Sequence, residues 1–441
     1  MRRPRSIALT VLGTALAVMA GSTTAHAATV PVAAPVAAPV AAPVAAARSC
    51  PAPGGAALTP ATQPKGAVKI YGHGWGHGMG MSQYGAQGAA RLGCGYKTIL
   101  KTYYYDASLA KRQLDAPVVL NLATGASKSV LDAETGSVRW ASSTRSVVQP
   151  QGTSWTVGRK TINSRPGIAL FDHTGKRRMF VPNAGVMSAA HSGTVVALHP
   201  YGGSSALSTR YDTARFVGST AGIAVTETIR ASGGTSAVQK YLTGLGEVPV
   251  SWPIEALKAQ TVAARTFLSR KYSAAAQAYV LTAGTYDQVY KGWAVESVDA
   301  QYGGNWRKAV AATNGQVIVD AAGNTIEALY SSSMGGYTEN REYVWGRYQI
   351  SYLKGVDDSR WDAASTNPYR SWSVGMTKKA FAKKFGFDSV SSWSVADRGS
   401  LQRLQGVRVT GKIDGEKVTR TFTGADARYR LGLRSPGFTF G

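Results

Sequence analysis

The chain has 441 residues, enough for two or three domains, with 49 Lys and Arg against 24 Asp and Glu and a formal charge of +25. A basic excess of that size favours polyanionic partners, either nucleic acid or the anionic polymers and lipid headgroups of a cell envelope. Two cysteines cannot build a structural zinc site by themselves, and no later stretch reaches the roughly 18 uninterrupted apolar residues of a confident membrane span.

The N-terminus reads as a secretory leader. Arg2, Arg3 and Arg5 precede an apolar run at residues 7–20, and Ala25-His26-Ala27 is a small-x-small cleavage site. Arg2-Arg3 alone is thin support for twin-arginine export, so the general secretory route is expected. Export argues against nucleic acid and leaves wall polymers as the polyanion. The expectation is a secreted or wall-associated protein whose mature chain has no transmembrane span. After the leader (1–27), residues 28–47 repeat PVAA, and proline at every fourth position opposes helix and favours an extended spacer. The linker is assigned to residues 28–66, with folding from about Ala67. Outside the cytoplasm Cys50 and Cys94 are expected to pair, stapling the end of the linker to the next segment.

That segment, 67–112, contains YGHGWGHGMGMSQYGA from Tyr71 to Ala86 and a predicted helix at 83–104. Glycine recurs at 72, 74, 76, 78 and 80. In an extended chain this leaves one bare face and puts Tyr71, His73, Trp75, His77, Met79 and Met81 on the other. A bare face admits a ligand or another strand, and Trp75 with two imidazoles offers a stacking and hydrogen-bonding surface for sugar rings. A purely structural ribbon is the alternative. His73 and His77 have the spacing of zinc ligands on a helix, but the glycines oppose a helix and no third ligand follows, so no metal is expected.

Residues 113–221 read as a β-rich module, with strands at 118–122, 138–141, 154–157, 168–172 and 194–198, and a further strand at 223–228 follows it. Residues 222–362 carry helices from Pro253 and at 306–314, and strands at 316–320 and 326–331. Residues 363–441 alternate as β segments at 407–412 and 418–422. The fold class is α+β, a mixed helix/sheet catalytic core with an active-site cleft and a β-rich inserted module. Pro253 suits the first position of a helix and Glu255 its first turn. Leu257, Thr261, Ala264 and Leu268 recur at helical spacing, so one face is buried. Glu247 precedes this helix among Leu245, Val248, Pro249 and Trp252. Poor solvation there would raise its pKa, as a general acid near neutral pH requires. Read from these residues alone, a solvated loop glutamate is an equal alternative.

The sequence from Glu247 to Thr266, EVPVSWPIEALKAQTVAART, resembles the signature of the stage II sporulation protein D (SpoIID/LytB) family. The Gly/His motif, Asp287 to Gly292 (DQVYKG), Tyr330 to Thr338 (YSSSMGGYT) and the closing Leu431 to Phe438 (LGLRSPGF) are similar to further elements of it. The Gly/His motif usually follows the glutamate segment; here it precedes it, as in a permuted arrangement. Founding members are lytic transglycosylases that cut peptidoglycan glycan strands, and the resemblance assigns the catalytic acid/base to Glu247. It implies that His77, Ser82 and Gln83 line a cleft facing Glu247. Some members hold a structural zinc where this chain has Asp287 and Ser331, so no zinc or other cofactor is expected.

The resemblance implies cleavage between N-acetylmuramic acid and N-acetylglucosamine, with a 1,6-anhydro product. His73, Trp75, His77, Ser82, Gln83, Lys258 and Tyr290 are the expected substrate-binding residues. Lys258 and Arg265 also sit on a helix where a solvated or structural role serves equally well, and Glu255 is explained by its first-turn position. The expected partners are peptidoglycan glycan strands and, through charge, anionic wall polymers. The second class of function is a non-catalytic wall-binding protein that modifies an amidase, as LytB-type relatives are regarded. A Ser or Cys hydrolase is disfavoured, because the chain has no G-x-S-x-G elbow.

Overall fold

The computed structural model describes residues 50–57, 61–346, 348–399 and 403–441, without the side chains of Leu404 and Gln405. The expected leader and most of the proline spacer lie outside these residues. Among the described residues no helix is long and apolar enough to cross a membrane. Among the described residues the architecture is α+β, with ten α-helices among mixed sheets.

The helix read from Pro253 is α4 of the chain order α1 (Gln83–Arg91), α2 (Tyr96–Tyr103), α3 (Ala237–Thr243) and α4 (Ile254–Ser269). Pro253 is its N-cap rather than its first residue, and Glu255 lies in the first turn. The face expected to be buried, Leu257, Thr261, Ala264 and Leu268, is buried, and burial extends beyond it. Residues on every side are buried, including Ala256, Ala259, Ala263 and Ala264, because these small side chains let α1, α2 and the helix Asn305–Ala312 approach closely. Arg265 is 1 % exposed. It donates to the carbonyls of Thr313 and Gln316 at 2.8 and 3.1 Å and of Val310 at 3.3 Å, supplying donors to carbonyls at the end of the Asn305–Ala312 helix.

The single helix expected at 83–104 is two. Gly93 adopts φ +93°, and the chain turns through Cys94, which is disulfide-bonded to Cys50. Helix α2 restarts where Glu255 accepts from Tyr96 N at 2.8 Å. Packing contacts are also made by residues before Ala67. The Pro53 carbonyl accepts from Arg360 N at 2.8 Å, and Trp361 Nε1 donates to the Pro51 carbonyl at 3.0 Å, so the disulfide end of the linker is docked.

The β-rich region is two packed antiparallel layers. Its six-stranded sheet runs Arg177–Pro182, Arg165–Phe171, Ser154–Ile162, Lys128–Ala133, Val196–His199 and Leu207–Thr209. An eight-stranded sheet faces it, with Trp140, Trp155, Ile168 and Phe216 between the layers. The eight-stranded sheet does not stop at the module. Strand Val118–Ala126 pairs antiparallel with Gly222–Ile229 and parallel with Ala278–Thr282. Its first half, Val118 and Leu120, packs into the core beneath α3 and α4, while Ala123 and Ala126 pack between the sheets. The two regions therefore share one strand. The strand expected at 326–331 shrinks to Tyr330–Ser331, parallel to Met81–Ser82. At the other end of the chain, Val68–Gly72 pairs with both Trp372–Met376 and Phe438–Phe440, so the C-terminal region anchors the start of the Gly/His segment.

Candidate active site

Glu247 sits in the turn between α3 and α4. Its neighbours Leu245, Val248, Val250 and Trp252 are buried, and the turn is pinned by backbone bonds to the 289–292 segment: Gly246 N donates to the Val289 carbonyl at 2.8 Å, and Lys291 N to Gly244 at 2.9 Å. The residue as a whole is half-buried, but its carboxyl end is enclosed by donors. Oε1 accepts from Val289 N at 2.6 Å, and Oε2 from Gln83 Nε2 at 3.3 Å. The Tyr330 hydroxyl is near enough to favour the ionised form as well. Burial raises the Glu247 pKa above the usual glutamate value, and the two hydrogen bonds, the Tyr330 hydroxyl and the charge of Lys291 offset only part of that.

Behind the carboxyl lies a buried polar network. Gln288 Nε2 donates to the Tyr330 hydroxyl at 2.8 Å and to the Ala264 carbonyl at 3.2 Å, while its Oε1 accepts from Tyr241 at 2.9 Å. Because Tyr330 accepts from Gln288, its own proton is free for Glu247. Gln83 Nε2 also reaches Gln260 Oε1 at 3.3 Å. Gln83, Gln260 and Gln288 are each at most 4 % exposed, so these groups cannot swing out to water, and the carboxyl faces a fixed set of donors.

The ribbon from Gly72 to Gly80 is not the extended strand its alternation suggested. Gly74, Gly76, Gly78 and Gly80 all have positive φ. A Cβ at Gly80 would stand 2.0 Å from the Leu329 carbonyl oxygen, and one at Gly76 2.3 Å from the Ser331 Cβ. Glycine is needed here for a left-handed backbone pressed against the 329–334 segment, and the odd-numbered side chains diverge. Met79 and Met81 are fully buried in the core. His73 Nδ1 bonds the Arg370 carbonyl at 2.9 Å. Trp75 is 43 % exposed and meets Tyr369 edge-on, with ring centres 4.6 Å apart.

His77 is tied to protein through both nitrogens. Met79 N donates to Nδ1 at 3.0 Å, so Nε2 carries the proton that goes to the Tyr330 carbonyl, also at 3.0 Å. Burial lowers its pKa to about 4, so the ring is neutral near pH 7. His77 thus holds the backbone of the residue whose hydroxyl addresses Glu247. Ser82 is fully buried and caps α1, its Oγ accepting from Gly85 N at 3.1 Å. Lys258 donates to Glu255 at 2.6 Å and lies over the Tyr96 ring; the cation whose field reaches Glu247 is Lys291. Tyr290 is buried and stacked on Tyr241 at 5.4 Å, with its hydroxyl towards Thr209 and Glu296. Of the expected binding residues, Gln83 touches the carboxyl and His77 acts one step behind it. Tyr330, Gln288 and Lys291 were not singled out, although the DQVYKG and YSSSMGGYT motifs contain them.

Asp287 and Ser331 make no metal cluster. Asp287 is partly desolvated, but bonds from Lys271 at 2.7 Å and from Thr282 hold its carboxyl below the ordinary aspartate range. Ser331 Oγ contacts Met334 Sδ. Among the described residues no group of three or more His, Cys, Asp or Glu side chains converges.

A family profile described as stage II sporulation protein (SpoIID) matches residues 234–319, which include Glu247, α4 and Gln288. The amidase enhancer of Bacillus subtilis (strain 168) is 37 % identical over 164 residues, covering 37 % of this chain and 20 % of that protein. The stage II sporulation protein D of Bacillus amyloliquefaciens is 34 % identical over 216 residues, and that of Bacillus subtilis (strain 168) 31 % over 221; each match covers 46 % of this chain and 59 % of the relative. The chain thus spans 20 % of the length of the first of these relatives and 59 % of the other two. The chain carries a domain of the stage II sporulation protein D family, at residues 234–319.

Proposed function

We propose that the protein is a secreted, wall-associated enzyme that cleaves peptidoglycan glycan strands between N-acetylmuramic acid and N-acetylglucosamine as a lytic transglycosylase, with Glu247 as its one acid/base. Protonated Glu247 gives its proton to the bridging oxygen as the bond from the muramic C1 breaks. The carboxylate then takes the proton of the muramic C6 hydroxyl as that oxygen bonds to C1, giving a 1,6-anhydro end without consuming water. The observation that carries this reading is the Glu247 carboxyl itself, desolvated enough to hold a proton at raised pH yet met by Val289 N, Gln83 and Tyr330 when it ionises. A hydrolytic glycosidase would need a second carboxylate across the bond. Glu255 is engaged by Tyr96 N and Lys258, and Asp287 by Lys271 and Thr282. The charge of +25 favours retention on anionic wall polymers.

The test is incubation of purified protein with denuded glycan strands and mass spectrometry of the products. Anhydro-muramic ends are expected; reducing ends would mean hydrolysis. The name of the Bacillus subtilis relative favours a second reading, in which the chain enhances an amidase. Under it, stem-peptide release by an added amidase rises and no anhydro end forms.

A further inference from the structure

Four aromatic rings lead away from the Glu247 turn. Trp252, at the end of that turn, meets Tyr84 with ring centres 5.0 Å apart. Tyr84 follows Gln83 in α1 and meets Tyr369 at 6.2 Å, and Tyr369 meets Trp75 at 4.6 Å. Arg434 lies over both outer rings, at 5.7 Å from the Trp75 centre and 5.5 Å from that of Tyr369. Exposure rises along the row: Trp252 is 8 % exposed, Tyr84 and Tyr369 are half-buried, and Trp75 is 43 % exposed. Each step is about the size of a sugar ring. Tyr369 and Arg434 come from the C-terminal region, beyond the residues matched by the family profile.

We propose that this row is a set of outer sugar subsites for a β-linked aminosugar chain, running from Glu247 out to Trp75; it rests on the glycan-cleaving reading given above. Aromatic faces suit sugars because the C–H side of the ring packs on them while its hydroxyls stay in water. The outermost rings would carry no such load as mere packing, since Trp75 leaves much of its surface in solvent. Arg434 fixes the Trp75–Tyr369 pair by cation–π contact, which lowers the ordering cost when a chain arrives. The C-terminal region thereby sets the length of glycan the site prefers.

The experiment uses the full chain as Glu247→Gln, so that binding is read without turnover, titrated with chito-oligosaccharides from dimer to hexamer. Affinity should climb with length. Adding Trp75→Ala or Tyr369→Ala should flatten that climb and weaken the hexamer about tenfold, while Trp75→Phe restores most of it. Thermal unfolding of each variant checks folding; because Trp75→Ala alters an exposed ring, it serves if Tyr369→Ala is damaged. Equal affinity at every length for the alanine variants and the parent would overturn the proposal, as would failure of the parent to bind any oligosaccharide. If native protein releases no anhydro ends but the length effect and its loss appear, the catalytic reading fails and the aromatic row stands.

Discussion

Replacing Tyr330 by Phe removes a hydroxyl that favours the Glu247 carboxylate and leaves the ring in place. Hydrogen bonds to a charged group contribute about 1.5–3 kcal/mol, and a pKa unit corresponds to about 1.4 kcal/mol. The donor favours the carboxylate, so its loss favours the protonated form and should raise the Glu247 pKa further. The working acid is the protonated form, so the alkaline limb of the pH–rate profile should move to higher pH. Gln288 Nε2 loses an acceptor but keeps the Ala264 carbonyl at 3.2 Å, which limits the stability loss to about 1–3 kcal/mol. The assay is the initial rate of anhydro-end release across the acid-to-alkaline range, with Tyr290→Phe as control because its hydroxyl faces Thr209. An alkaline limb that stays in place in Tyr330→Phe, or moves down, would refute the reasoning.

Two further outcomes follow from the same framework. The His77 pKa is about 4 in the fold against 6.5 for the free residue, so the neutral ring contributes at most about 3 kcal/mol above pH 6.5, and this is lost as pH falls from 6.5 through 4. Thermal midpoints should drop across that window in the native protein and less so in His77→Gln; parallel curves would contradict it. The disulfide joins residues 44 apart, and restricting a loop of that length in the unfolded chain is worth about 4 kcal/mol. Urea unfolding of the Cys50→Ser, Cys94→Ser double variant should show a loss of at least about half that figure, and an unchanged midpoint would oppose it.

The Glu247 turn and α4 were legible because their cues are local: a proline at the helix start, an acid in the first turn, and apolar residues flanking one carboxylate. The disulfide was also legible, from the expectation of export and a count of two cysteines. The Gly/His ribbon misled because alternation of glycine is compatible both with an extended strand and with a string of left-handed residues, and only the neighbouring 329–334 segment decides between them. The break between α1 and α2 carried a local hint in Gly93 and Gly95, outweighed by helical residues on either side. Tyr330 addresses Glu247 from 83 positions away, with Gln288, 41 positions away, bonded behind it, and nothing in a linear pattern shows that convergence. Lys258 and Tyr290 looked equivalent to them in sequence, and side-chain direction separates the two sets. The sharing of strand Val118–Ala126 between the β layers and the helical core is likewise a matter of pairing, invisible before the sheet is closed.

The most direct test of the account is the rate at which Glu247→Gln releases anhydro-muramic ends from denuded glycan, beside native protein at equal concentration. Glutamine keeps the size of the side chain and cannot cycle a proton, so release should fall by a factor on the order of 10²–10⁴ while glycan binding persists. Release within a few-fold of native would contradict a mechanism that runs through this one carboxyl.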